Sequence, residues 1–189
     1  STPFLKGLRR ESDNLVSFAW ILPDNRVFLR THRPEMSGDD VSIMRPDIAA
    51  ANQTLDPVSG FAVSGVGLNF SVVQPVFCQG DYIGVVQWGL SSSQLLDLLR
   101  EKITAPTAIQ VATDKTGYIK EEDLQGSLLK VQGNELITTA PAVFSDVAAG
   151  VDWQAEQSWL HEQNRHRVLV RLVPLPGFDG QPVGHIVTI

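Results

Sequence analysis

The sequence predicts an α+β protein made of two tandem modules, residues 1–101 and 102–189, each an antiparallel sheet with flanking short helices. Two observations carry this reading. Short apolar runs bounded by Pro, Gly, Asn and Asp dominate the chain, with only brief helical stretches between them, which is the pattern of strand-rich layers with helices to one side. One segment also occurs twice, about half the chain apart, and self-similarity at that distance points to a duplicated unit.

The repeated segment is residues 73–86, which returns as residues 173–186. In each copy an apolar strand runs into Pro, a glycine-containing turn follows, and a second glycine sits four residues on in a new apolar strand. Each copy reads as the last hairpin of its module. Gly80 and Gly180 suit the positive φ of a hairpin turn, while Gly84 and Gly184 suit close approach of a neighbouring backbone within a sheet.

In chain order, residues 2–12 read as the end of a helix with Leu5 and Leu8 on one face. Residues 15–22 and 26–32 read as a strand and its return around Pro23, Asp24 and Asn25. Residues 33–38 form a polar loop, Asp39 or Asp40 caps a short turn, and Pro46 opens a helix to residue 54. A glycine-rich stretch at 60–67 leads into a strand at 68–77, then the first repeated hairpin and a strand at 82–89. Residues 91–101 form an amphipathic helix, with Ser91, Ser92 and Ser93 available as caps.

The second half repeats this order more weakly. Strands are expected at 107–112, 135–139, 159–163, 166–174 and 182–189, a charged segment around 120–123, and a short helix at 141–149.

Composition narrows the function classes. Fifteen Lys and Arg against 21 Asp and Glu give a formal charge of -6, so the overall field repels phosphate backbones and nucleic acid is not an expected partner. The single cysteine, Cys78, excludes an internal disulfide and a cysteine-based zinc cluster, and reads as a small core or edge residue. No run approaches the ~20 apolar residues of a membrane span, and no basic-then-apolar leader opens the chain. It begins at Ser1 without a Met and ends on an apolar run, a pattern expected of a piece of a longer protein.

Catalytic and metal motifs fail on spacing. His161 and His166 are five apart, where a zinc-protease helix needs four, and the segment reads instead as a polar hairpin turning at Asn164. Around Gly117 a calcium loop would need a carboxylate where Ala112 stands and a Glu where Asp123 stands. Nucleotide-binding glycine loops and a Gly-x-Ser-x-Gly motif do not occur, so no catalytic residue, metal or cofactor is expected.

The run Phe28-Leu29-Arg30-Thr31-His32-Arg33-Pro34, followed by Gly38-Asp39-Asp40, Arg45-Pro46, Gly60-Phe61, the 68–77 strand and Gly80 to Gly84, resembles in order the extracytoplasmic double Cache (PAS-like) sensor family. The likeness is strongest over residues 14–89. It implies a membrane-distal ligand-sensing module followed by a smaller membrane-proximal one, upstream of a chemoreceptor, histidine kinase or diguanylate cyclase output. The place it implies is the periplasmic or extracellular face of a bacterial inner membrane. The membrane would be met only through flanking helices, and a homodimer is an expectation for the full-length receptor. Similar sequences carry an Arg near the position of Ser71, and that departure leaves the ligand class open.

The residues expected to bind ligand are Trp20, Arg30, His32, Asp40, Arg45, Phe70 and Trp88. By strand alternation Arg30 and His32 share a face with Phe28. The resemblance turns that face toward the pocket, where Arg30 would grip a carboxylate and His32 donate to it. The structural alternative pairs Arg30 with Asp39 or Asp40 to fix the loop. Arg45 either bonds loop carbonyls or points at ligand from the helix start, and Trp20, Trp88 and Phe70 supply apolar walls or plain core. Two competing functions are a small-molecule hydrolase using His32 with Asp39 or Asp40, and a ligand-free interaction or dimerisation module.

Overall fold

Residues 17–30 form a hairpin of β1 (Ser17–Ile21), buried along most of its length, and β2 (Val27–Arg30), turned by Asn25 in the left-handed region at φ 65°. The structure is a computed structural model that describes residues 17–31, 33–64, 67–112, 127–131, 134–138, 140–148, 158–163 and 166–189. The expected helix end at 2–12, the charged segment at 120–123, the Gly117 loop, the Asn164 turn and His32 lie outside these residues.

Helix α1 (Pro46–Thr54) begins on Pro46, whose missing N–H costs nothing at a helix start, and stops at Leu55 with φ 59°. Strands β3 (Val58–Ser64), β4 (Gly67–Cys78) and β5 (Asp81–Ser91) follow. They complete an antiparallel sheet in the order β2-β1-β5-β4-β3. Ala19, Ile21, Val73 and Val85 on one face of this sheet pack with Ile48 and Ala51 of α1.

Helix α2 (Ser92–Lys102) then joins the two sheets. Ser91 accepts a bond from the Gln94 backbone while the Gln94 side chain bonds back to Ser91, a closed capping box that satisfies two otherwise orphaned donors. Ser91→Ala is expected to cost about 1 kcal/mol of unfolding free energy, read from the midpoint of a urea curve with unchanged slope.

The second sheet contains β6 (Thr107–Ala112), β7 (Ser127–Val131), β8 (Asn134–Thr138), β9 (Ser158–Gln163), β10 (His166–Pro176) and β11 (Pro182–Thr188). Their order is β7-β8-β6-β11-β10-β9, with helix α3 (Pro141–Ala148) between β8 and β9. With the edge strand β7 set aside, β6, β8, β9, β10 and β11 lie in the same second-first-fifth-fourth-third order as the first sheet. Each sheet also has its helix between the second and third strands of that order. This shared topology gives the duplication a structural basis.

The two repeated hairpins occupy matching places. Both carry a β-bulge, between Val76 and Phe77 and between Leu175 and Pro176. A Cβ on Gly84 would lie 2.1 Å from the Ile21 carbonyl oxygen, and one on Gly184 would lie 2.1 Å from that of Gln110. Pairing of Val73 with Gln87 and of Leu172 with Val187 makes Pro75 and Pro174 counterparts, one residue away from the alignment read off the sequence. The second turn is longer, and that extra length hides the true register.

Two strands escaped the sequence reading. Strand β3 contains Gly60, a strand-weakening residue, yet a Cβ there would lie 2.4 Å from the Phe178 backbone nitrogen, so the tip of the last hairpin requires it. Among the described residues strand β7 pairs with β8 alone. An apolar cluster of Leu68, Leu96, Ile109, Val111, Ile137 and Leu175 spans the two sheets and α2.

Candidate functional site

The face of the first sheet that meets α1 becomes polar toward one end. Ser17, Asn69, Ser71 and Gln87 are buried there, in phase with the apolar Ala19, Val73 and Val85 of the same strands. Buried hydroxyl and amide groups are costly unless bonded, so their concentration on one patch marks a built polar site.

Arg45, at the N-cap of α1, reaches over this patch. Its Nε and Nη2 donate to Asp47 Oδ1 and Oδ2 at 2.9 and 2.7 Å, and Nη2 also donates to Ser71 Oγ at 2.9 Å. Ser71 Oγ in turn donates to Asp47 Oδ2 at 2.9 Å, closing a three-residue ring. Asp47 is 2% exposed. Its burial pushes the carboxyl upward, but the Arg45 hydrogen bond and charge, with bonds from Ser71 and the Ile48 backbone, outweigh burial and hold it below its ordinary value.

Arg30 is paired across to Ala19, which turns it to the α1 side. Both terminal nitrogens donate to Asp39, each at 2.6 Å, and Nη1 also donates to the Met36 carbonyl. The Arg30 ion pair weighed as the structural alternative is present, with Asp39 as its partner. Asp40 is exposed and accepts from the Ser42 backbone at 2.8 Å, an Asx turn that leaves it away from Arg30.

The expectation that Phe28 shares a face with Arg30 is corrected by a β-bulge. Register runs from Trp20 opposite Leu29 to Ile21 opposite Val27, so Phe28 is the extra residue and alternation changes phase there. Val27 and Arg30 face α1, whereas Phe28 packs edge-on against Trp20, with ring centres 5.5 Å apart.

Trp20, Trp88 and Phe70 are not brought together with the arginines. They alternate out of phase with Ala19, Gln87 and Ser71 and occupy the opposite face of the sheet. Trp20 donates to the Ile83 carbonyl, and Trp88 meets Phe18 edge-on. Phe70 lines a cavity of about 450 Å³ with Phe61, Leu90 and residues of α2. Sequence reasoning missed Ser17, Asp47, Asn69 and Gln87. Asp47 carried the one available cue, a carboxylate two residues from an arginine at a helix start. Among the described residues no group of His, Cys, Asp and Glu could hold a metal ion.

Strand register allows the two sheets to be compared position by position. Gln87 corresponds to Val187, Ser71 to Val170 and Asn69 to Val168, counting back from the matched pairs Val73–Gln87 and Leu172–Val187. The polar patch of the first sheet is thus apolar in the second, where Val170 and Val187 pack with Phe144 and Val147 of α3. The reverse holds at Ile21 and Val85, whose counterparts Gln110 and His185 are joined by a 2.8 Å hydrogen bond.

Two duplicated antiparallel sheets, each with its helix between second and third strands, define a tandem PAS-like sensory architecture. The family described as "Double sensory domain of two-component sensor kinase" matches residues 9–189, and the chain belongs to it, as the sensing region of a signal-transduction receptor.

Solved structures agree on the fold. The chain is similar to the ligand-binding domain of the Campylobacter jejuni chemoreceptor Tlp3 in complex with 4-methylisoleucine, at 12% identity and a TM-score of 0.53, covering 98% of this chain and 68% of that one. It is also similar to an extracellular ligand binding receptor from Desulfohalobium retbaense, at 14% identity and a TM-score of 0.51, covering 97% of this chain and 31% of that one. The chain therefore spans about a third of the Desulfohalobium receptor chain's length. No curated protein matches the sequence. Among the described residues no helix is long and apolar enough to cross a membrane.

Proposed function

We propose that the first module, residues 1–101, binds a small molecule on the α1 side of its sheet, around Ser17, Arg45, Asp47, Asn69, Ser71 and Gln87. Occupancy then biases how the second module, residues 102–189, packs against it. The observation that carries this reading is the asymmetry between the sheets: the same topology has a polar, charge-containing patch in the first and Val168, Val170 and Val187 at the matching positions of the second. A purely structural duplication gains nothing from burying a carboxylate and these hydroxyl and amide groups where the other copy has valines.

A route to the C-terminus accompanies the site. Ser71 pairs with Gly60 on β3, and the turn of the last hairpin lies against Gly60 and forms an isolated bridge between Gly177 and Phe61. Movement at Ser71 therefore reaches β11 through one strand and one turn. In the full receptor this end would lead toward a transmembrane helix, with the sensing region on the periplasmic or extracellular side, and a homodimer would suit such an assembly. Against the hydrolase reading stands the engagement of its two acids, Asp39 with Arg30 and Asp40 with the Ser42 backbone.

The test is a thermal-shift panel of amino acids, organic acids, amines, purines and sugars on the intact chain and on Ser71→Val, which installs the residue type of the second module. At least one compound is expected to stabilise the native chain by more than about 1 kcal/mol, and Ser71→Val to lose that response while still unfolding cooperatively. Absence of stabilisation across the panel would overturn the proposal.

A further inference from the structure

We infer that this site selects an uncharged molecule rich in hydrogen-bonding groups, such as a carboxamide, a sugar or a nucleobase, rather than an organic anion. The inference rests on the reading of the first-module face as the ligand site and adds the chemical class of its ligand.

Charge is the first argument. Arg30, expected to grip a carboxylate, and Arg45, expected to bond loop carbonyls or to point at ligand, are each engaged by a two-bond contact on a carboxylate of this chain, Asp39 and Asp47. The Ser71 hydroxyl is itself committed to Asp47 and Arg45. An anion entering this patch would meet the buried Asp47 carboxylate, and any bond it drew from Arg45 Nε or Nη2 would be taken from the pair that compensates Asp47. An uncharged ligand brings no like charge to Asp47 and leaves that pair intact.

Geometry is the second argument. Gly89 sits between Ser17 and Ser71 on the neighbouring strands. A Cβ built on Gly89 would lie 2.4 Å from Ser17 Oγ, 3.2 Å from Gln87 Nε2 and 3.4 Å from Asn69 Oδ1. One hydroxyl and two amide side chains thus converge over Gly89 and occupy the space a side chain there would take. Gln87 Nε2 lies 3.5 Å from Ser17 Oγ, a long contact that a bonding group of a ligand could replace with shorter ones. Hydroxyl and amide heads offer donors and acceptors without net charge, which matches the edges of an amide or a nucleobase. A site built this way rejects analogues that leave its buried polar groups unpaired.

The experiment uses the whole chain with three sets of probes: nicotinamide, uracil and ribose as uncharged compounds, succinate and L-glutamate as anions, and L-valine as a zwitterion. An uncharged probe at about 100 times its Kd is expected to raise Tm by about 5 °C. Its affinity should hold from low to high salt, because no ligand charge is screened. Gln87→Leu and Ser17→Ala should each weaken that probe at least about tenfold, the loss expected when one bond to a buried polar group is removed. If one variant does not fold, the other reads the same contact.

Binding of succinate, L-glutamate or L-valine with no uncharged probe bound would overturn the ligand class and leave the small-molecule reading standing. Silence from every probe, together with silence from the wider panel, would remove the reading itself. Binding of an uncharged probe unaffected by both variants would place it elsewhere and defeat the inference.

Discussion

Asp47→Ala is expected to lower the unfolding free energy by about 3–5 kcal/mol, the cost of removing one partner from a buried ion pair. Asp47 is 2% exposed, and the Arg45 side chain, at 13%, has little water to turn to when its carboxylate is gone. Ser71 loses its acceptor in the same step. Asp47→Asn should cost less, since it retains the shape and an acceptor for one guanidinium nitrogen. The double replacement Arg45→Met with Asp47→Leu should cost less than Asp47→Ala, because no charge is left stranded. Urea unfolding of the variants gives the comparison, and equal losses for Asp47→Ala and the double variant would show that the pair is not buried as described.

The same residue sets an acid limb. Asp47 is held below the ordinary carboxylate value of 3.8, so the folded state binds its proton less readily than the unfolded chain does. Its contribution is fully present well above 3.8, declines as pH falls through that value, and is gone once pH is below the lowered native value. Asp47→Asn should therefore flatten the fall in stability below about pH 4 while lowering the plateau at neutral pH.

Much of the fold was legible because its local physics is periodic. Hairpin β1–β2, helix α1 opening on Pro46, helix α2 with Ser91 as cap and the strands of both repeated hairpins lie within a few residues of where alternation and capping placed them. The glycine pairs could be read because each position has a steric reason that a sequence displays directly.

The site was less legible, for two physical reasons. A single bulged residue, Phe28, changes the phase of a strand, and nothing in a period of two announces a bulge. The partners that decide what Arg45 does are not local either: Ser71 is 26 residues away and belongs to a central strand. Alternation can state that a serine lies on one face of a sheet. It cannot state that a helix start will deliver an ion pair onto it.

Gly84→Ala is expected to be at least as damaging, with a loss of more than about 4 kcal/mol, a large share of the stability of a typical domain. Two separate penalties fall on this residue. Its φ of 120° is outside the range L side chains adopt, and a Cβ would lie 2.1 Å from the Ile21 carbonyl oxygen and 3.1 Å from the Leu22 Cα. Backbone atoms on both sides must move, and β1 and β5 are central strands whose separation fixes the α1 core. Two other glycines separate the penalties. Gly184→Ala meets Gln110 O at the same 2.1 Å without the positive φ, so it should cost less than Gly84→Ala yet remain severe. Gly38→Ala has a φ of 84° and nothing within 4 Å of the new Cβ, so only the backbone term of about 1 kcal/mol should appear. Chemical denaturation of the three variants should rank them Gly84, Gly184, Gly38 in falling cost. If Gly84→Ala proved as mild as Gly38→Ala, β1 and β5 could not approach as closely as the structure has them. The equivalence of the two hairpins would then lose its strongest support.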